Sequence, residues 1–260
     1  GDEVPQNYDH LFATIQSLKK IYDHVAEDYF DYIVVDEVHH GAADSYERPL
    51  TYFKPDILLG LTATPERMDG QDITRFFDDT IATELRLSEA IDRSLLVPFN
   101  YYGVTDLVDI MKFQRGRYDT AELEKLYVGN KMRMNAVINA INDYRPNVDE
   151  IKGLGFCVSI DHAEYMANEF NDAGIPSIAL TSRSPQEVRE TAQTKLVNGE
   201  IKFIFSVDLY NEGVDIPQVN TELMLRPTES MTIFIQQLGR GLRKSEGKEE
   251  LLVLDFTFSE

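Results

Sequence analysis

The sequence predicts an α/β protein in two units, each a parallel sheet covered by helices, with the first unit incomplete. Three observations carry that reading. Short, continuous apolar runs recur along the chain, each ending in polar or turn residues. Amphipathic stretches with helical spacing separate the later runs. One stretch, from about residue 98 to about residue 130, breaks the pattern. Continuous rather than alternating apolar strands bury both faces, which is the mark of parallel sheets crossed by helices.

Tyr32–Val35 (YIVV) reads as a buried strand ending at Asp36-Glu37, and Ile57–Leu61 as a second ending at Thr62-Ala63-Thr64-Pro65. Pro98-Phe99-Asn100-Tyr101-Tyr102 then opens a region with Lys112, Arg115, Arg117 and Lys125. It reads as a connector with a short helix over Thr120–Tyr127. A longer helix over Lys131–Tyr144 opens the second unit. The boundary is placed near residue 103: 1–103 first unit, 104–130 connector, 131–260 second unit. Further strands are expected over Gly155–Ser159, Ser177–Leu180, Lys202–Val207, Glu222–Leu225 and Leu251–Asp255. Between them, Asp161–Ala173 places Ala163, Met166, Ala167 and Phe170 on one helical face. Pro185–Val197 does the same with Val188, Ala192, Leu196 and Val197. Cys157 falls mid-strand and is expected in the core.

Composition narrows the function classes. Hydrophobic residues make up 43% and charged residues 27%, an ordinary globular balance that excludes disorder and fibrous repeats. The one cysteine excludes an intrachain disulfide or a cysteine zinc site, and fits a reducing, cytoplasmic compartment. Apolar runs such as Ile57–Ala63 fall far short of the ~18 residues a membrane helix needs, so no membrane partner is expected. The first residues are acidic and polar, unlike a signal peptide, and the chain begins with Gly. A net charge of −20, with both halves acidic, argues against a DNA-coating protein. It is compatible with a grip through a few amides, hydroxyls and arginines.

Four clusters carry chemistry. Asp36-Glu37-Val38-His39 stands at the end of a parallel strand, the sheet edge where ligands bind. One carboxylate there can hold Mg²⁺ while the other polarises water, although an Asp-Glu pair after an apolar run is also common as a solvated turn. Thr62 and Thr64 put two hydroxyls after the next strand, or form an ordinary turn closed by Pro65. Ser206-Val207-Asp208 and Asn211–Pro217 end a later strand in a loop that can present carboxylates to sugar hydroxyls. Gln236–Arg243 (QQLGRGLR) spaces Arg240 and Arg243 three apart, on one face if the stretch is helical, as suits a shared polyanion. A solvated basic helix end is the plainer alternative. Gly239 and Gly241 lower helix propensity, as a close approach to a ligand or backbone would require.

In order and spacing, these words resemble the superfamily 2 helicases and translocases. Asp36–His39 resembles the DExH motif, Thr62–Thr64 the S/T-A-T coupling motif, Ser206–Asp208 with Glu212–Pro217 the fifth motif, and Gln236–Arg243 the Q-x-x-G-R-x-x-R arginine-finger motif. The flanking words LLGLTATPERMDG, NEGVDIP, RPTES and QQLGRGLR are closest to the branch around restriction-enzyme Res subunits. Phe12–Leu18 resembles that branch's strand-contacting segment. The resemblance implies two RecA-like lobes with ATP hydrolysed between them, and movement along nucleic acid, more in keeping with DNA than RNA. It implies Asp36 for Mg²⁺, Glu37 to activate water, His39 to couple nucleotide and strand, and Thr62 and Thr64 as relays. Arg240 and Arg243 would reach the γ-phosphate. Glu212, Gly213, Asp215, Gln236 and Gly239 would line or couple the nucleotide site, and Thr14, Gln16 and Ser206 would contact the strand.

The sequence holds no G-x-x-x-x-G-K-[ST], the cradle for the β- and γ-phosphates, and only 35 residues precede Asp36. The resemblance therefore implies a piece of a longer parent that supplies further domains, binding ATP and Mg²⁺ only with that cradle present and inactive alone. The alternatives are an RNA helicase and a non-catalytic RecA-like interaction module.

Overall fold

A computed structural model of the chain describes residues 10–18, 24–38, 44–62, 73–105, 119–145, 147–207, 216–228 and 231–257. Two compact units emerge, Gly1–Glu84 and Leu85–Glu260.

In the first unit, α1 (Ile15–Leu18), β1 (Tyr32–Val35), α2 (Asp44–Tyr52) and β2 (Ile57–Gly60) are the regular elements among the described residues. The strands pair in parallel, from Tyr32 opposite Ile57 to Val35 opposite Gly60. Ile33 packs with Val25, Phe30 and Phe53, while Val35 packs with Val38, Leu50, Leu58 and Ile73. Successive strand residues point to opposite faces, so Tyr32 and Val34 turn the other way and remain about half exposed.

The second unit holds α3 (Leu87–Asp92), β3 (Phe99–Gly103), α4 (Thr120–Tyr127), α5 (Lys131–Tyr144), β4 (Gly153–Phe156) and α6 (Ile160–Asp172). It continues with β5 (Ser177–Leu180), α7 (Gln186–Asn198), β6 (Phe203–Ser206), β7 (Thr221–Met224), α8 (Met231–Gly241) and β8 (Leu251–Asp255). Its six strands are all parallel, in the order β3-β8-β7-β4-β6-β5. Alternate residues feed two cores. Phe203, Phe205, Leu252 and Leu254 meet α5 and α6 on one face. Leu154, Phe156, Ile204 and Val253 meet α7 and α8 on the other. Local chemistry starts and stops the helices. Asp119 caps α4 by accepting the Ala121 N–H at 2.9 Å, and Asn130 caps α5 through the Arg133 N–H at 3.0 Å. Gly199, with φ 76°, closes α7 in the left-handed region that only glycine enters freely.

Two glycines decide the sheet's centre. A Cβ on Gly153 would lie 2.1 Å from the Phe203 ring, and one on Gly155 2.3 Å from the Phe205 ring. Both positions must be bare for the two stacked rings to lie flat on β4 with Phe170 edge-on to them.

The structure corrects several sequence expectations. The units divide at Glu84–Leu85, not near residue 103. Residues 99–103 are an edge strand of the second unit, paired with β8, and the Tyr101 hydroxyl donates to Asp255 across that pair. Short, mostly exposed and carrying Asn100, this strand lacks the apolar run that betrays a central one. The helix over 120–127 is not a free connector either. The Tyr127 ring lies tilted against His162 of α6 and carries the Arg133 guanidinium 3.8 Å above its centre. Strand β4 runs over 153–156, two residues earlier than the GFCVS word suggests. Cys157 and Val158 remain buried although they form the turn, and Ser159 caps α6 by accepting the His162 N–H at 3.1 Å.

Cys157 is fully buried just past the strand, and burial pushes its thiol well above the ordinary range. We expect a thiol reagent to label it slowly in the native protein and rapidly in denaturant. Fast native labelling would show that the β4–α6 turn is not packed as described.

Candidate functional site

In the first unit, main-chain hydrogen bonds bring two of the sequence words together. Leu61 N–H donates to Val35 O at 2.8 Å, and Val38 N–H donates to Leu61 O at 2.9 Å. Asp36-Glu37 therefore stands beside Leu61-Thr62, at the C-terminal ends of adjacent parallel strands. Gly60 permits this approach, since a Cβ there would lie 2.6 Å from the Phe77 ring and 2.9 Å from Val38.

Glu37 holds a feature the sequence did not announce. Its φ is 50°, in the left-handed region, and Asp36 Oδ1 accepts its N–H at 2.9 Å. A non-glycine residue held there costs on the order of 1–3 kcal/mol, and such residues cluster where a side chain must be aimed. Asp36 is exposed, Glu37 and Thr62 half-buried. An exposed carboxylate at a strand end suits a cation that keeps most of its water, as Mg²⁺ does. Among the described residues no group of three or more His, Cys, Asp or Glu is placed to hold a metal.

His39, Thr64, Glu212, Gly213 and Asp215 lie outside the described residues, as does the Gln16 side chain. Thr14 is exposed at the start of α1, where its Oγ1 accepts the Ser17 N–H at 3.2 Å. Ser206 is buried as the last residue of β6, and its carbonyl accepts the Cys157 N–H at 2.8 Å. Its side chain is thus a packed strand end rather than a surface group.

The second unit presents Gln236, Gly239 and Arg240 on α8. Gln236, Gly239 and Arg240 are half-buried, while Gln237 is fully buried. The shared-face argument for the two arginines does not survive. The helix ends at Gly241, Leu242 turns inward with its carbonyl accepting the Val97 N–H at 2.9 Å, and Arg243 lies beyond, exposed. The two glycines also differ. A Cβ on Gly239 would meet nothing within 4 Å, whereas one on Gly241 would lie 2.5 Å from Leu251 and 2.8 Å from Glu222 Oε1. Gly241 is therefore a packing requirement. Nothing in the packing accounts for Gly239, which costs a helix about 1 kcal/mol relative to alanine.

Glu222 was not singled out by sequence, where it reads as one residue of a strand. It lies on β7, fully buried under the end of α8, with Oε1 packed against Gly241. Burial pushes its pKa well above the usual carboxylate range, against opposing pulls from the Gly241 backbone and the charges of Lys248 and Arg240. Burial in turn pulls Lys248 down to about 8, and Glu222 opposes that fall.

Comparison with known proteins agrees with this layout. Residues 1–67 match the family model of the type III restriction enzyme Res subunit, and residues 133–245 that of the helicase conserved C-terminal domain. The chain is 29% identical over 261 residues to the provisionally named ATP-dependent helicase IRC3 of Saccharomyces cerevisiae, covering 96% of this chain and 37% of that protein. A fragment assigned as the HsdR subunit of a type I restriction enzyme from Vibrio vulnificus superposes with a TM-score of 0.74. It is 26% identical, covering 93% of this chain and 46% of that one. These matches support a superfamily 2 helicase fragment of the Res-subunit kind. The type ISP restriction-modification enzyme LlaBIII, solved bound to DNA, shares the fold at 18% identity and a TM-score of 0.68, over 93% of this chain and 19% of that one. The chain thus spans well under two thirds of each of these relatives.

The buried carboxyl makes a stability prediction. A group whose folded pKa is raised contributes stability that is fully present below its unfolded value and lost as pH rises through the folded one. Wild-type stability should therefore fall relative to Glu222→Gln as pH rises from about 5 to about 7, below the Lys248 transition, by up to roughly 1 kcal/mol per pH unit. Urea unfolding of both proteins across that window checks it. Parallel curves would remove Glu222 as the titrating group.

Proposed function

We propose that this chain is the motor part of an ATP-dependent DNA helicase or translocase of restriction or repair type, hydrolysing ATP between its two units. The observation that carries the reading is the hydrogen-bonded pairing of Asp36–Val38 with Leu61-Thr62, with Glu37 held in a left-handed conformation. It supports a division of labour at two adjacent strand ends. Asp36 would hold the hydrated Mg²⁺ that accompanies ATP, which would neutralise phosphate charge. Glu37, aimed by its backbone, orients the attacking water and takes its proton. Thr62, with His39 and Thr64, passes the state of the nucleotide to the strand-binding surface.

In the second unit, Arg240 stabilises the charge that develops on the transferring phosphoryl group, a contribution of roughly 10³–10⁵ in rate in this chemistry. Arg243, beyond the helix end, takes an outer place on the same polyanion. Gln236, Gly239 and the 208–217 loop, including Glu212, Gly213 and Asp215, line the nucleotide. Thr14 and Gln16 meet the nucleic-acid strand. DNA is favoured over RNA because the restriction-enzyme relatives include one solved on DNA. The 260 residues hold no G-x-x-x-x-G-K-[ST], so turnover belongs to the protein in a form that carries this phosphate cradle.

In full-length protein, Glu37→Gln should keep ATP binding and lower DNA-stimulated turnover by about 10²-fold or more, since the amide keeps the size but cannot accept a proton. Nucleotide affinity and kcat, measured together with duplex DNA, single-stranded DNA and RNA, check this. Unchanged kcat removes Glu37 from the chemistry, and stimulation by RNA alone replaces DNA as the track.

A further inference from the structure

Past the end of α8 the chain makes a turn whose effect is to aim one lysine. Gly247 has φ 75°, a conformation that glycine adopts without strain, and Lys248 N–H donates to Ser245 O at 3.2 Å. The Lys248 ammonium then points back under the helix and spends its three donors on three carbonyls. Two belong to the end of the arginine segment, Gly241 O at 2.5 Å and Arg243 O at 2.8 Å. The third is Pro217 O, at 2.9 Å, the last residue of the NEGVDIP word.

A cation that merely capped a helix would need only the helix's own carbonyls. Here the third carbonyl comes from a separate segment, across a gap of 31 residues in sequence. The lysine also feels the field of Glu222, fully buried beneath the same helix end. Gly241 must be bare to let that carboxyl in. Burying such a group is costly, and a well-packed apolar side chain in its place is often neutral or stabilising. The arrangement fixes a geometry at the expense of stability.

We propose that Lys248 is a positioning residue that fastens the end of α8 to Pro217, so that the segment carrying Arg240 is held rigid for the nucleotide. The kinetic consequence rests on the function proposed above, whereas the clamp itself does not.

Lys248→Met removes charge and donors but keeps the apolar stem. Lys248→Arg keeps the charge, and Lys248→Gln serves as a second neutral variant if the methionine protein fails to fold. Hydrogen exchange should show the amides of residues 238–243 opening roughly tenfold faster in the neutral variants, with β4, β6 and β8 unchanged. In full-length protein, DNA-stimulated kcat should fall roughly 10- to 100-fold in those variants, as for a misplaced catalytic group, with KM for ATP within about twofold. Lys248→Arg should recover most of the loss. Unchanged exchange at 238–243, or acceleration spread evenly over the whole unit, overturns the clamp. Locally faster exchange with normal kcat overturns the positioning role. A wild-type protein that never hydrolyses ATP sinks the proposed function instead, and the exchange pattern still decides the clamp.

Discussion

The second unit depends on two positions that cannot carry a side chain. Gly153 and Gly155 leave β4 flat on one face, and the rings of Phe203 and Phe205 lie directly over them. Any larger residue would drive β6 away from β4 or force its rings off the sheet, a strain that commonly costs about 1–3 kcal/mol. Because β4 sits between β6 and β7, that one contact layer sets the spacing of the sheet's middle. Cys157 N–H then bonds to Ser206 O at 2.8 Å and Leu225 N–H to Phe156 O at 3.1 Å, so the ends of these strands stay in a row. The chain crosses over β4 on its way from β6 to β7, and such crossovers open the sheet edge to ligands.

Charge is handled differently at depth than over the chain as a whole. The net charge of −20 describes the surface and says little about any site. Three ionisable residues, Arg133 and Glu222 buried and Lys248 half-buried, are placed for specific work. Arg133 is buried, donates to Leu225 O at 3.1 Å and lies over the Tyr127 ring, tying α4 and α5 to the end of β7. Nearby His162 is also buried. Its Nδ1 accepts the Val158 N–H at 3.3 Å, and burial pulls its pKa down to about 3, so it stays neutral. Glu222 and Lys248 are the other two charges, set beneath the helix that carries Arg240. The first unit fixes its carboxylate by backbone strain instead, holding Glu37 left-handed between two strand ends.

Much of the fold was legible because parallel strands buried on both faces leave continuous apolar words. YIVV, SIAL and LLVLD appear as strands over the expected residues, and the helix over 131–144 has the expected bounds. The apolar face of α6 was readable from its 3.6-residue spacing: Ala163, Met166, Ala167 and Phe170 are all buried. The chemistry-bearing words were legible too, since strand ends carry them in fixed order. What failed were elements defined by a partner rather than a pattern. β3 is half polar and becomes a strand only by pairing with β8, and this moves the division between the units to residue 84.

The sequence by itself determined the α/β class, the strand and helix alternation of the second unit, and the family to which the motif order belongs. These follow from local periodicity and from residue types that chemistry demands at fixed spacing. Only the tertiary structure decided that Arg243 falls beyond the helix, that Gly241 serves packing while Gly239 does not, and that Glu37 is strained. It alone placed Glu222 beneath the end of α8. The reason is physical: helix ends, backbone strain and buried charge pairs are set by contacts between residues far apart in sequence. A carboxylate on β7 and a lysine 26 positions later show no local pattern until the fold brings them together.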